Sequence, residues 1–376
     1  MLTLSSRKPK VAFIGTNGIP ANYGGFETLV ENVAPHFLKD YDVFVYCSSV
    51  GKRECRDEHN GIKLKYIPLK ANGWQSVLYD GLGIIDSFRC HDIIVLLGFS
   101  GAVVLPLNVF FNRCVVSNVG GIEADKVRGL SLFSSFEKGF KNLLEFFVVR
   151  FSDAIIVDNG AIGERIKCKY GVVADVIEYG GDHAYHCPRD TVFEASIGGL
   201  FDKYDLVVSR AQVDMNIHVV LEAYSQNPSR NLIVVSNWAT SEYGRSLHSK
   251  FSSAYSNIKC VEAIYDQRKL NSIRSNCDFY VHPHSLCGTA PSLVEAMYLG
   301  LPVLAFDVGA NRFATRNEAF YFNSAADLVQ KISGIDEESR LKCGANMKRT
   351  AHEAYRWGRI SEKYLRVIEI VAVKCD

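Results

Sequence analysis

Val11-Ala12-Phe13-Ile14-Gly15-Thr16-Asn17-Gly18-Ile19-Pro20-Ala21-Asn22-Tyr23-Gly24-Gly25-Phe26-Glu27 decides how the rest of this chain is read. A short run of apolar residues at 11–15 has the look of a strand buried on both faces. A loop of Gly, Pro and Asn follows, and then Phe26, Leu29, Val30, Val33 and Phe37 recur at helical spacing. Strand, glycine loop and helix in that order open a parallel α/β sheet. Gly24 and Gly25 allow a ligand to approach the backbone, and the helix start offers free N–H groups to an anion such as a diphosphate. The spacing matches neither G-x-G-x-x-G nor a P-loop, so a purely structural turn explains this stretch equally well.

Working outward, further β-rich runs fall at 43–46, 64–67, 93–97, 114–117, 154–157 and 173–178. A second series begins at 206–208 and continues at 232–235, 258–261, 279–281 and 303–305, with helical patterns such as 217–224 and 292–298 between the runs. Periodicity fades over 183–203, where Pro188, Gly198 and Gly199 appear, and this segment reads as a linker. The expected layout is a Rossmann-like domain over 1–185, a second over 200–350, and a final helix near 351–371 in a C-terminal segment, 351–376, that packs back toward the first domain. The expected fold class is α/β, with two doubly wound domains facing across a cleft. Ligands of such sheets sit beyond the carboxyl ends of the strands.

The composition agrees. The chain has 376 residues, 48% hydrophobic and 22% charged, as in an ordinary globular protein of about two domains. Lys and Arg total 42 against 41 Asp and Glu, so no global basic field exists to hold nucleic acid. The eleven cysteines are scattered without a C-x-x-C, which argues against a disulfide framework or zinc ribbon and fits a reducing cytoplasm. Residues 93–112 carry no charge, a run as long as the roughly 20 residues that cross a bilayer, yet Gly98, Gly101 and Pro106 interrupt it. The Phe-rich helical segment 130–151 reads either as a core helix or as a face that touches a membrane.

Three more loops follow strands. Ser209-Arg210 places a permanently charged fork at a strand's carboxyl end, suited to phosphate oxygens or to a surface ion pair. The segment from His282 to Met297 holds a Gly288-Thr289 turn and Pro291 at a helix start. Glu295, one turn in, would accept hydrogen bonds from ribose hydroxyls, although Ser292-x-x-Glu295 is equally a capping box. His282 and His284 lie two apart, which on a strand sends them to opposite faces, so no shared metal is expected. The third loop carries Asn118 and Glu123, either of which would reach a sugar. Asp40-Tyr41-Asp42 fits a D-x-D string but precedes a strand, so it reads as a solvated turn.

These residues together resemble the family 4 retaining glycosyltransferases of GT-B fold, and within them a bacterial rhamnosyltransferase-like branch. The resemblance rests on the G-T-x-G-I-P-A-x-Y-G-G-F-E-T segment at 15–28, on Tyr265-Asp266-Gln267 and Arg274-Ser275-Asn276-Cys277, and on Asn237-Trp238 with Glu242-Tyr243-Gly244. It rests also on His284-Ser285, Gly288-Thr289, Pro291-Ser292-Leu293 and Glu295-Ala296-Met297. It implies a metal-independent hexosyltransferase whose donor is a TDP-, UDP- or GDP-sugar, with no other cofactor. The acceptor it implies is a growing, lipid-linked cell-surface glycan such as O-antigen or capsule, met by peripheral contact with the cytoplasmic membrane face. Carried over, Arg210 and Glu295 are the catalytic pair. Gly24, Gly25, Ser209, Arg210, Asn237, Pro291, Ser292, Leu293 and Glu295 bind donor, while Tyr23, Phe26, Glu27, Asn118 and Glu123 line the acceptor side.

The chain departs from the family pattern at three points. Cys287 stands at the first position of Glu-x7-Glu, and Met215 replaces a basic residue. Asn118-Val119-Gly120-Gly121-Ile122-Glu123-Ala124 stands where the branch reads Asn-x-Asp-Gly-Leu-Glu-Trp. The rival readings are a non-catalytic sugar-nucleotide-binding subunit and a GT-B-like sugar-nucleotide epimerase.

Overall fold

The computed structural model describes residues 7–21, 24–52, 54–120 and 132–375. They form two units, Met1–Glu178 with Trp357–Asp376, and Tyr179–Arg356.

The first unit is built on strands β1 (Lys10–Ile14), β2 (Asp42–Ser48), β3 (Glu58–His59), β4 (Ile62–Ile67), β5 (Ile93–Leu97), β6 (Cys114–Asn118), β7 (Ala154–Val157) and β8 (Asp175–Val176). Helices α1 (Gly25–Val33), α2 (Ser76–Cys90), α3 (Leu132–Phe151) and α4 (Gly160–Tyr170) alternate with them. The sheet order is β3-β4-β2-β1-β5-β6-β7-β8, parallel except for the antiparallel β3–β4 pair. Every residue of Ile93–Leu97 is buried, because helices cover both faces of a parallel sheet. The order reverses between β1 and β5, so their carboxyl ends mark the place where doubly wound sheets bind ligands.

The charge-free run 93–112 is β5 followed by a 3-10 helix, Ala102–Phe110, with Pro106 inside it. Among the described residues no helix is long and apolar enough to cross a membrane. Helix α3 has a buried face and an exposed one. Leu144, Val148 and Val149 enter the core, while Phe136, Phe140, Leu143 and Phe146 stay exposed.

The chain enters the second unit at Tyr179, so the segment 183–203 belongs to that unit and carries α5 (Thr191–Ser196). Six parallel strands follow: β9 (Asp205–Val208), β10 (Leu232–Ser236), β11 (Ile258–Glu262), β12 (Tyr280–His282), β13 (Val303–Phe306) and β14 (Phe320–Phe322). Their order is β11-β10-β9-β12-β13-β14, which places a switch point between β9 and β12. The helices are α6 (Ile217–Ser225), α7 (Glu242–Phe251), α8 (Gln267–Arg274), α9 (Pro291–Tyr298), α10 (Gly309–Ala314), α11 (Ala325–Gly334) and α12 (Glu337–Ala354). Buried Asp205 braces the amino end of β9, with Arg230 Nη2 at 2.6 Å and the Tyr224 hydroxyl at 2.6 Å.

The single final helix expected over 351–371 is two helices. α12 stops at Ala354, Tyr355 leaves the helical region, and α13 (Trp357–Cys375) starts afresh. The cause is tertiary: Tyr355 is buried, its hydroxyl donates to the Ala314 carbonyl at 2.7 Å, and its own carbonyl accepts from Gly181 N–H at 2.7 Å. Helix α13 returns to the first unit and packs against α1 and β6.

Candidate functional site

At the switch point of the second unit, the loops after β9 and β12 are joined. His284 Nε2 lies 2.8 Å from Ser209 Oγ. Asn237, at the end of β10, accepts from Ala211 N–H at 2.8 Å and so fixes the loop that carries Arg210. Arg210 itself is exposed, and its guanidinium makes no hydrogen bond or ion pair among the described residues. A surface ion pair is therefore not its role there. Met215, where the family pattern has a basic residue, is buried in the core.

Helix α9 begins at Pro291 with Ala290 as its N-cap, and no side chain caps it. The capping-box reading of Ser292 and Glu295 therefore fails: Ser292 is already inside the helix. Of the three donor-binding residues expected here, Pro291 has no N–H and Leu293 N–H is taken by the Ala290 carbonyl at 3.1 Å. Ser292 N–H has no backbone acceptor among the described residues. The Leu293 side chain fills the core.

Glu295 is held from two sides. Its Oε2 is 2.5 Å from Arg274 Nη2, and its Oε1 is 2.8 Å from His183 Nε2. Arg274 is wholly buried on α8 and is steadied by Asn271 Oδ1 at 3.2 Å. Burial pushes the Glu295 carboxyl up, but the Arg274 charge and the His183 hydrogen bond outweigh it, and the group stays below the usual carboxylate range. The carboxylate is thus ionised and oriented, and a carboxylate so paired still has lone pairs for ligand hydroxyls. His183 reaches this position because Gly181 lies flat on α9. A Cβ there would stand 2.8 Å from Val294 Cγ1 and 2.9 Å from the Val294 carbonyl oxygen.

The expectation that His282 and His284 diverge is overturned. β12 ends at His282, so strand alternation does not extend to His284, and the two ring centroids are 4.1 Å apart. With Cys287 they form a group whose ligand atoms all lie within 4.8 Å of one another, which answers the expected lack of any metal cluster. Burial pulls His282 down to about 3, so its ring is neutral.

In the first unit, the glycine loop after β1 lies against β5. Gly15 has φ +102°, and a Cβ there would fall 2.0 Å from the Leu97 carbonyl oxygen, so the loop can pass only with glycine. Glu27 accepts from Asn17 N–H at 2.7 Å, Glu31 accepts from Ala21 N–H at 2.9 Å, and the Tyr79 hydroxyl donates to the Thr16 carbonyl at 2.9 Å. Burial raises the Glu27 carboxyl, against the lowering effect of the Asn17 hydrogen bond. Gly24 precedes α1 and Gly25 starts it. Glu27, expected on the acceptor side, thus braces the loop.

Asn118 is buried too. Its Oδ1 accepts from Gly120 N–H at 2.8 Å and its amide donates to the Tyr364 hydroxyl on α13, so it ties strand end to helix. The Phe26 ring occupies the place that a side chain at 120 would take: a Cβ on Gly120 would meet Phe26 Cζ at 2.9 Å. Asp80, on α2, is buried beside the loop after β5, and burial pushes its carboxyl up to about 8 against a hydrogen bond from Ser100. Tyr23, Glu123 and Ala124 lie outside the described residues.

Residues 200–350 match the family model described as glycosyl transferases group 1. The second unit carries a glycosyl transferases group 1 domain. Residues 8–93 match a domain of unknown function. No curated protein sequence matches the chain. Among solved structures, sucrose-phosphate synthase from Thermosynechococcus elongatus superposes with a TM-score of 0.81 at 15% identity, covering 98% of this chain and 100% of that one. The Anabaena protein HepE in complex with UDP and glucose gives 0.72 at 16%, with 96% and 99% covered. A glycosyltransferase from Rickettsia africae gives 0.70 at 12%, with 98% and 99% covered. At these identities the likeness establishes the fold, two Rossmann-like parallel sheets of GT-B type.

Within the glycosyl transferases group 1 domain, sequence reasoning singled out Arg210 and Glu295 but assigned nothing to the two residues that orient Glu295. Arg274 had one local signal. It follows Ile273 in the buried stretch of α8, where a charge needs a partner. His183 had none, since it lies in an aperiodic stretch and meets Glu295 across a sequence separation of 112.

Proposed function

We propose that this protein is a retaining, metal-independent glycosyltransferase. It moves a hexosyl or deoxyhexosyl group, rhamnosyl among the candidates, from a nucleoside diphosphate to a growing lipid-linked glycan at the cytoplasmic membrane face. The observation that carries this reading lies in the glycosyl transferases group 1 domain: Arg210, unpaired among the described residues, and the oriented Glu295 carboxylate both follow strands that meet at the β9–β12 switch point. Arg210 neutralises the diphosphate as its charge grows, aided by Ser292 N–H, and this replaces a divalent ion in the reaction. Glu295 accepts from the donor ribose hydroxyls. The bond from the anomeric carbon to the diphosphate oxygen breaks, the acceptor oxygen bonds to that carbon on the same face, and a departing phosphate oxygen takes the acceptor's proton. The complex of HepE with UDP and glucose supports a nucleotide-sugar donor.

A membrane-bound acceptor is supported by the first unit. Phe110 (80% exposed) on the 3-10 helix, Phe136 (73%) on α3 and Trp74 (79%) ahead of α2 belong to elements that pack in series, α3 and α2 each against the 3-10 helix. Exposed bulky apolar side chains of this kind suit the headgroup boundary of a bilayer.

The test is calorimetric titration of TDP-, UDP- and GDP-sugars into wild type and Glu295→Gln, followed by incubation of the tightest donor with membrane extract in EDTA. Glutamine keeps the size and the bond to His183 but loses the charge. Affinity should fall by about 10- to 100-fold, since a charged hydrogen bond contributes roughly 1.5–3 kcal/mol. Unchanged affinity in a folded variant refutes the ribose role. Product without an acceptor reassigns the protein to the epimerase class, and strict dependence on Mg²⁺ or Mn²⁺ refutes the metal-independent mechanism.

A further inference from the structure

We propose that His282, His284 and Cys287 form a binding site for a borderline transition-metal ion of the Zn²⁺ class, beside the donor-binding loops. The observation that demands an explanation is His282. It is wholly buried at the end of β12, and neither ring nitrogen has a hydrogen-bond partner within the described residues. Buried polar atoms are nearly always paired, and an orphaned imidazole in a protein interior is a strong acceptor with nothing to accept. Its neighbours supply the purpose. His284 stacks at a tilt 4.1 Å away, and the Cys287 sulfur completes a set of ligand atoms within 4.8 Å of one another.

The distances suit the ion. Nitrogens about 2.0–2.1 Å and a sulfur about 2.3 Å from a tetrahedral centre lie roughly 3.3–3.6 Å apart. Closing the present spread asks for about 1 Å of side-chain movement. Two imidazoles and a thiolate favour Zn²⁺ and its chemical relatives over Mg²⁺ or Ca²⁺, which take oxygen ligands. Three protein ligands leave a fourth position for water.

The backbone around the ligands is already fixed. Buried Asn216 donates to the Pro283 carbonyl at 3.0 Å, and buried Asn311 donates to the His284 carbonyl at 2.9 Å. Ser285 N–H is held by the Asp214 carbonyl at 3.0 Å. The Ser209 hydroxyl fixes the His284 ring through Nε2, the kind of outer contact that orients metal-binding histidines. The turn after β12 is thus held on both sides before any ion arrives. The ligands are nitrogen and sulfur rather than carboxylate, so the site is not one for a metal–diphosphate complex.

The experiment uses the full chain, stripped with a chelator, and titrates Zn²⁺ against a chromophoric competitor and Co²⁺ by absorption. The expected result is one equivalent of Zn²⁺ per chain and a near-ultraviolet sulfur-to-cobalt charge-transfer band. Cys287→Ser, a near-isosteric change at a half-buried position, should abolish the band and weaken Zn²⁺ binding by about 10²-fold or more. His284→Gln should weaken Zn²⁺ binding while the circular dichroism spectrum is kept. Cys55→Ser, at an exposed cysteine, should leave both readouts unchanged. Substoichiometric Zn²⁺, or a band that survives Cys287→Ser, overturns the proposal. The readouts require no donor and no turnover, so they are independent of the transferase reading.

Discussion

Asp80→Asn should stabilise the first unit, and by an amount that grows with pH. Asp80 is buried on α2, its Oδ1 has no hydrogen-bond partner among the described residues, and burial raises its carboxyl from 3.8 to about 8. The folded chain therefore keeps a proton there over a pH range in which the unfolded chain has lost it. For such a group the favourable contribution is complete below about pH 4 and is lost steadily as pH rises toward about 8. The slope is about 1.4 kcal/mol per pH unit. Asparagine is neutral throughout and nearly the same size. The advantage of the variant should thus be small near pH 4, widen by about 4 kcal/mol between pH 5 and 8, and level off above that. Other titrating groups cancel in the difference. The assay is hydrogen exchange of the β1 and β5 amides in both proteins, corrected for intrinsic rates, at each pH from 5 to 8. Protection that differs by the same amount at every pH refutes the reasoning, as does a variant that is less protected at pH 8.

Arg210→Ala should lower kcat by about 10²-fold or more while changing donor affinity less, because its charge matters most as the diphosphate departs. Steady-state kinetics beside calorimetry decide this, and unchanged turnover would show the diphosphate to lie elsewhere. Gly120→Asp restores the carboxylate of the resembled branch, but its Cβ would stand 2.9 Å from Phe26 Cζ. It should cost roughly 1–3 kcal/mol of stability in urea unfolding as the ring is displaced, and a neutral effect would mean that Phe26 moves freely. Phe110→Glu with Phe136→Glu should abolish flotation with anionic vesicles without lowering the melting temperature, since both side chains are exposed. Vesicle binding that survives would remove the membrane face.

Most strands were legible because a parallel sheet buries both faces, and runs such as Ile93–Leu97 need no partner to be recognised. The two-residue β3 escaped notice because a pair of polar residues shows no apolar pattern, and the three-residue β14 was passed over as well. The break at Tyr355 was invisible for another reason: no glycine or proline marks it, and its cause is a contact with Gly181 far back in the chain. The same contrast runs through the site. Arg210 and Glu295 stand just after strands, where topology alone draws attention. Glu295 was ambiguous against a capping box only because sequence cannot say that α9 starts at Pro291 rather than after Ser292. Its partners Arg274 and His183, and the convergence of His282 with His284, depend on where elements end and what they meet. Asn118 and Glu27 were read as ligand contacts, and the structure shows both fastening loops, since a polar residue after a strand reads the same whether it faces a ligand or fastens a loop.

The return of α13 to the first unit has a consequence for biosynthesis. The Asn118 amide and the α1 and β6 surfaces can be covered only when residues beyond Arg356 exist. Translation of Tyr179–Arg356 at roughly 5–20 residues per second takes about 10–35 s. Through that interval the nascent first unit waits with an uncovered seam, while the continuous second unit can close as soon as it leaves the ribosome. The half made first is therefore the half finished last, and it is the one that a chaperone would have to guard.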